Sequence, residues 1–162
     1  MELIMTLSSH LEVLKNSYCL GIQDIYQKVL VLQGKTLRAV PEDGNVTPIS
    51  LKTTPCQDES LEKGKGNAIY LGIEGQKLCL CCAESGGQPI LKLEERGIME
   101  LYHNQKAEKP FVFYQNAASN TSTFESAAYP GWFISSSVKK QKPITLTKDV
   151  GKDNINFYLM LA

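Results

Sequence analysis

A chain of 162 residues with 43% hydrophobic and 21% charged residues has the make-up of one folded domain, which excludes wholesale disorder. Lysine plus arginine balance aspartate plus glutamate at 17 each, so no net field recommends nucleic acid or an anionic membrane as a partner. No apolar run approaches the ~18 residues that a membrane-spanning helix requires.

The first 20 residues do not read as a secretory signal. They open with Glu2, and the apolar piece 3–7 is cut off by Ser8, Ser9 and His10, where a signal wants a basic start and a longer apolar core. Leu3, Leu7, Leu11 and Leu14 fall at helical spacing, yet so short a segment is marginal alone in water. Residues 1–16 are therefore expected to be a flexible leader ahead of a domain over 17–162.

From Ser17 onward short apolar runs alternate with turn residues. Strands are predicted over 18–24, 28–32, 36–40 and 49–54, with Gln33-Gly34-Lys35 and Pro41-Glu42-Asp43-Gly44-Asn45 as breaks. The polar stretch 55–67 is the longest connection before the centre of the domain. Beyond it Ile69, Leu71 and Ile73 alternate with Tyr70 and Gly72, Leu78 and Leu80 lead to Cys82, and Leu91 and Leu93 alternate with Lys92 and Glu94. Period-two patterning of this kind marks antiparallel sheet with one solvated face. A single helical turn is expected at Ile98-Met99-Glu100-Leu101-Tyr102, too short to pack as a helix. Phe111 and Phe113, the run 121–126, then 132–135, 144–147, and finally Ile155, Phe157 and Leu159 complete about twelve strands. Twelve strands without a long helix suit a closed barrel capped by hairpins, a β-trefoil; a β-sandwich has the same spacing.

Five cysteines, Cys19, Cys56, Cys79, Cys81 and Cys82, are an odd set without disulfide-framework spacing. Only His10 and His103 could join them, so no zinc site is expected, and free thiols point to assembly in a reducing cytosol. No cofactor is expected either. Gly64-Lys65-Gly66 lacks the rest of a dinucleotide fingerprint, no Gly-x-Ser-x-Gly elbow occurs, and adjacent carboxylates such as Glu94-Glu95 point apart on a strand. The chain does not read as an enzyme. Asn45-Val46-Thr47 and Asn120-Thr121-Ser122 are glycosylation sequons, expected to be unused in a chain without a secretory signal.

The stretch 124–136 holds the only tryptophan, Trp132, directly after Pro130-Gly131, and reads as strand, turn, strand. Its Phe124, Ser126, Ala127, Pro130, Phe133, Ile134 and Ser135 match the signature of the interleukin-1 family, with Ser136 where that pattern usually continues with threonine. Val31-Leu32-Gln33, Ala39-Val40-Pro41, Ile69-Tyr70-Leu71-Gly72-Ile73, Cys79-Leu80, Ile98-Met99-Glu100-Leu101-Tyr102 and Lys109-Pro110-Phe111 follow in the same order. Over residues ~20 to 160 the chain resembles the interleukin-36 subfamily.

That resemblance implies a β-trefoil cytokine that leaves the cell without a signal peptide and acts as a monomer. It would bind the interleukin-36 receptor and recruit the interleukin-1 receptor accessory protein, starting NF-kappa-B and MAP kinase signalling. The subfamily is activated by trimming of the N-terminus about nine residues before an aliphatic-x-Asp landmark. Ile22-Gln23-Asp24 fits the landmark and places the cut between Glu12 and Val13. The compact connection 148–154 resembles the agonists, whereas Tyr129 and Glu125-Ser126-Ala127-Ala128 are shared with the receptor antagonist. An agonist is the expectation; an antagonist, or a trefoil inhibitor or lectin, is the alternative. Exposed loops on a rigid barrel carry binding residues, so Glu62, Lys63, Lys148, Asp149, Lys152 and Asp153 are the candidate receptor contacts.

Overall fold

A computed structural model describes residues 18–138 and 142–161. In chain order its strands are β1 (Tyr18–Asp24), β2 (Lys28–Gln33), β3 (Thr36–Pro41), β4 (Ser50–Pro55), β5 (Asn67–Ile73) and β6 (Cys79–Ser85). They continue as β7 (Gln88–Glu94), β8 (Val112–Ala118), β9 (Thr121–Ser126), β10 (Phe133–Ser135), β11 (Thr145–Thr147) and β12 (Phe157–Leu161). Every pairing is antiparallel. Strand β1 pairs with β12 on one side and with β4 on the other, and β4, β5, β8, β9 and β12 pair in succession. Six strands thus close into a barrel, which removes the exposed edges that an open sheet would carry.

The remaining strands form the hairpins β2–β3, β6–β7 and β10–β11, attached through Gln23↔Val29, Gly72↔Cys79 and Glu125↔Phe133. The hairpins meet across one end of the barrel, where the Ile144 amide donates to the Leu37 carbonyl at 2.9 Å and Arg38 bridges to Pro143. This is a β-trefoil; the sandwich is excluded because the first and last strands are hydrogen-bonded neighbours in a closed ring.

Inward-facing residues fill the barrel. Leu51, Leu71, Phe113, Phe124 and Phe157 are each 1% exposed or less, and the Phe124 and Phe157 rings stand 6.3 Å apart at 52°. Burying each such side chain contributes about 1.5–3 kcal/mol. A second core lies outside the ring, under the connection from β7 to β8. It unites Tyr70, Cys79, Cys81 and Val112 with Ile98 and Leu101 of a six-residue helix, α1 (Ile98–His103). This corrects the expected single turn: α1 packs, because two of its side chains reach a ready apolar surface. It also explains why Val112, Phe113 and Tyr114 are all buried where alternation predicted one wet face. Strand β8 has the barrel interior on one side and this outer core on the other. Strand alternation puts Cys79 and Cys81 in the outer core and Cys82 in the barrel, and all five cysteines are free. His103 ends α1 and lies exposed, its ring centre 5.1 Å from that of Tyr102 and the two planes inclined at 66°.

Among the described residues no helix is long and apolar enough to cross a membrane.

Candidate functional site

The connection from β11 to β12 is organised by Thr147, the last residue of β11. Its hydroxyl donates to Asp153 Oδ2 at 3.1 Å and accepts the Asp149 amide at 3.1 Å. The amides of Lys152 and Asp153 both donate to the Asp149 carbonyl, at 3.1 and 3.3 Å. These bonds fix the loop before any partner arrives, which lowers the ordering cost of binding. They also sort the four charges predicted there. Asp153 turns inward to Thr147, and the Lys148 ammonium stands 5.6 Å from the centre of the Trp132 ring. Asp149 and Lys152 point outward, without a side-chain ion pair among the described residues, on either side of Val150, which is 55% exposed.

The base of this loop is tied to the β1–β2 turn by a buried network. Asp24, fully buried, accepts the amides of Tyr26 and Lys28 on Oδ1 at 2.8 and 2.9 Å, and the Ser136 hydroxyl on Oδ2 at 2.9 Å. Asn154 Nδ2 donates to Ser136 Oγ at 3.1 Å, and the backbones of Ser136 and Asn154 exchange two bonds at 2.9 and 3.1 Å. The predicted processing landmark is therefore a structural element: Ile22 faces the barrel core opposite Leu159, and Asp24 joins three loops. Glu12 and Val13, where the cut is predicted, lie outside the described residues. The turn above Asp24 displays Ile25 and Tyr26, 40% and 50% exposed. Sequence reasoning missed this pair and Val150. The available signal was an apolar side chain at a turn position, where a polar one is the norm.

Glu62 and Lys63 sit in the β4–β5 connection and are both exposed. Their loop is held at two points. Asp58 accepts the Ala107 amide at 2.8 Å, with the Ser60 hydroxyl and amide at 2.6 and 2.9 Å, and these donors hold its carboxyl at about 2. Lys65 donates to Glu125 at 3.1 Å, which raises the lysine pKa, and the same carboxylate oxygen accepts the Gly131 amide at 2.8 Å. Directly after the second anchor Gly66 adopts φ 111°, and a Cβ there would lie 2.4 Å from the Gln115 carbonyl oxygen, so only glycine fits. The structure does not bring Glu62 and Lys63 into hydrogen-bond or ion-pair contact with the β11–β12 loop.

The family-signature residues shape the chain here. The Ser126 hydroxyl accepts the Tyr129 amide at 3.0 Å, and the Ser126 amide donates to the Trp132 carbonyl at 2.8 Å, closing the turn that contains Pro130 and Gly131. Gly131 takes φ 87°, as such a turn demands. Phe133 and Ile134 then pair with Thr147 and Leu146, which places Trp132 beneath Lys148.

Chemically the surface offers recognition. Burial pushes the Cys79 and Cys82 thiols up to about 11 and about 12, so neither supplies a thiolate at neutral pH. Among the described residues no group of three or more His, Cys, Asp or Glu side chains is placed to hold a metal ion.

The family model "Interleukin-1 / 18" matches residues 52–159. Interleukin-36 alpha of Homo sapiens is 47% identical over 135 residues, covering 83% of this chain and 85% of the relative. Interleukin-36 beta of Mus musculus is 46% identical over 140 residues, covering 85% and 76%. The interleukin-36 receptor antagonist protein of Mus musculus is 39% identical over 140 residues, covering 84% and 86%. The solved NMR structure of the pro-inflammatory cytokine interleukin-36alpha superposes with a TM-score of 0.79 at 43% identity, covering 91% of this chain and 94% of that one. With the closed trefoil and the signature turn in place, these matches show that the chain belongs to the interleukin-1 family, among the interleukin-36 cytokines.

Proposed function

We propose that the protein is an extracellular agonist of the interleukin-36 receptor. It acts as a ligand: its loops engage the receptor, the interleukin-1 receptor accessory protein joins, and the two intracellular domains start NF-kappa-B and MAP kinase signalling. The observation that carries this reading is the pre-formed 148–154 loop, which presents Asp149, Val150 and Lys152 above a base shared with Ile25 and Tyr26. A rigid surface of apolar side chains beside unpaired charges suits a protein partner, with the apolar groups supplying affinity and the charges register. Glu62 and Lys63 form a second candidate contact on the pinned β4–β5 loop. Activation proceeds by removal of residues 1–12, leaving Val13 as the start.

The test uses reporter cells expressing the receptor and its accessory chain. A Val13-start protein is expected to signal far more potently than the full-length chain, and a receptor-blocking antibody is expected to abolish the signal. Receptor binding without signalling would assign the antagonist role instead, to which Tyr129 and the segment 125–128 point. Binding to glycans with no receptor binding would overturn both.

A further inference from the structure

The balanced net charge conceals a basic face over the hairpin end of the barrel. One cavity of about 270 Å³ lies where the three hairpins meet, with Lys35 of the β2–β3 turn and Lys92 of β7 at its rim and Pro143 as a wall. A second, of about 450 Å³, lies on the other side of Pro143 and is lined by Lys142, Lys152 and Asp153. The Arg38↔Pro143 bridge and the Ile144–Leu37 hydrogen bond hold the shared wall in place. Four lysines thus line the two cavities against one carboxylate, Asp153, which is already bonded to Thr147. Lys35, Lys92, Lys142 and Lys152 are all exposed. Beside the linings, Glu94 answers Lys92 at 2.6 Å, and its carboxyl is held low by Lys92 first and by Lys35 as well.

We propose that this face binds a sulfated polysaccharide of the glycosaminoglycan type. A run of ammonium groups along two adjoining hollows matches a linear polymer of fixed negative charge, and lysine serves sulfate well as a compact point charge. The recessed Leu37, Leu93 and Ile144, each 8% exposed or less, give the C–H faces of sugar rings an apolar floor. Nucleic acid is the poorer fit, because no aromatic side chain lines either cavity to stack a base. A bilayer is poorer too, since these apolar groups are sunk between the lysines where an inserting surface would project them. The site shares Lys152 with the proposed receptor surface, but its test uses the protein and the glycan alone and does not depend on the receptor reading.

The experiment is salt-gradient elution of the full-length protein from immobilised heparin, beside a sulfopropyl cation exchanger. The protein is expected to leave heparin well above the ~0.15 M of physiological salt, and at higher salt than it leaves the exchanger. A triple Lys35→Ala, Lys142→Ala, Lys152→Ala variant is expected to elute below ~0.15 M, its log-affinity against log-salt slope falling by roughly one per lysine. A triple Lys77→Ala, Lys106→Ala, Lys109→Ala variant, which removes equal charge elsewhere, should elute like the parent. Arginine at positions 35, 142 and 152 should restore retention and shows that the face is intact. Flow-through of the parent at ~0.15 M, or equal losses in both alanine triples, overturns the proposal. So does tighter binding to single-stranded RNA or to phosphatidylserine vesicles than to heparin.

Discussion

The hydroxyl of Ser136 donates to the buried carboxylate of Asp24 at 2.9 Å, joining residues 112 positions apart in the chain. Through that bond the first turn of the barrel and the base of the last loop become one piece. Ser136→Ala leaves Asp24 short of a donor in a dry site, and a cost of about 1.5–3 kcal/mol is expected. Asp24→Ala orphans two amides and the hydroxyl together, and on the order of 3–5 kcal/mol is expected. Urea denaturation of both single variants and the double checks this. Additive losses would show that the two side chains act separately.

Thr53 makes the opposite case. It is fully buried on β4, and its hydroxyl has no hydrogen-bond partner among the described residues. Valine has nearly the same shape without the desolvated oxygen. Thr53→Val is therefore expected to stabilise the fold by about 1 kcal/mol. Thermal unfolding measures it, and a lower Tm would mean that the hydroxyl has a partner in solution.

Asp58 supplies an acid-sensitive latch on the β4–β5 loop. Its folded-state carboxyl sits at about 2, first because of the Ala107 amide and then through Ser60. A depressed carboxyl contributes its stability above its unfolded value and loses it as pH falls through the folded value. The contribution is thus complete above the ordinary carboxylate range, about 4, and disappears towards pH 2. Stability between pH 5 and 2 is expected to fall more steeply in the parent than in Asp58→Asn. Parallel curves would remove Asp58 from the account.

The stacking of Lys148 on Trp132 separates structural from recognition roles within one loop. Lys148→Met is expected to change tryptophan fluorescence and to cost about 0.5–1 kcal/mol of stability. Asp149→Lys and Lys152→Glu, lacking such partners, are expected to leave stability within about 0.5 kcal/mol. Each should weaken receptor binding, mainly through a slower association rate in surface plasmon resonance. Unchanged affinity in both reversals would discard this loop as a contact.

Much of this protein was legible before any coordinate was known. The turn at Pro130 and Gly131, the twelve short runs of alternating side chains and the faces of Cys79, Cys81 and Cys82 all follow from local rules. A strand's alternation is a property of neighbours in sequence, and so is a turn's need for proline or glycine. The exceptions were α1 and the doubly buried 112–114, where a second core supplied apolar surface from distant segments. The candidate loops were legible as loops but not in their internal division. Whether Lys148 points to solvent or to Trp132, and whether Asp153 turns to Thr147, depends on which strands lie side by side.

By itself, then, the order of residues determined the all-β class, the family and the positions of its loops, because those rest on short-range pattern. Only the closed barrel decided what the pattern could not express. It set Ser136 against Asp24, left the Thr53 hydroxyl without a partner among the described residues and gathered Lys35, Lys92, Lys142 and Lys152 on one face of a chain with no net charge. The physical reason is the same in each case: hydrogen bonds and fields act over a few ångströms of space, and ring closure makes neighbours of residues a hundred positions apart.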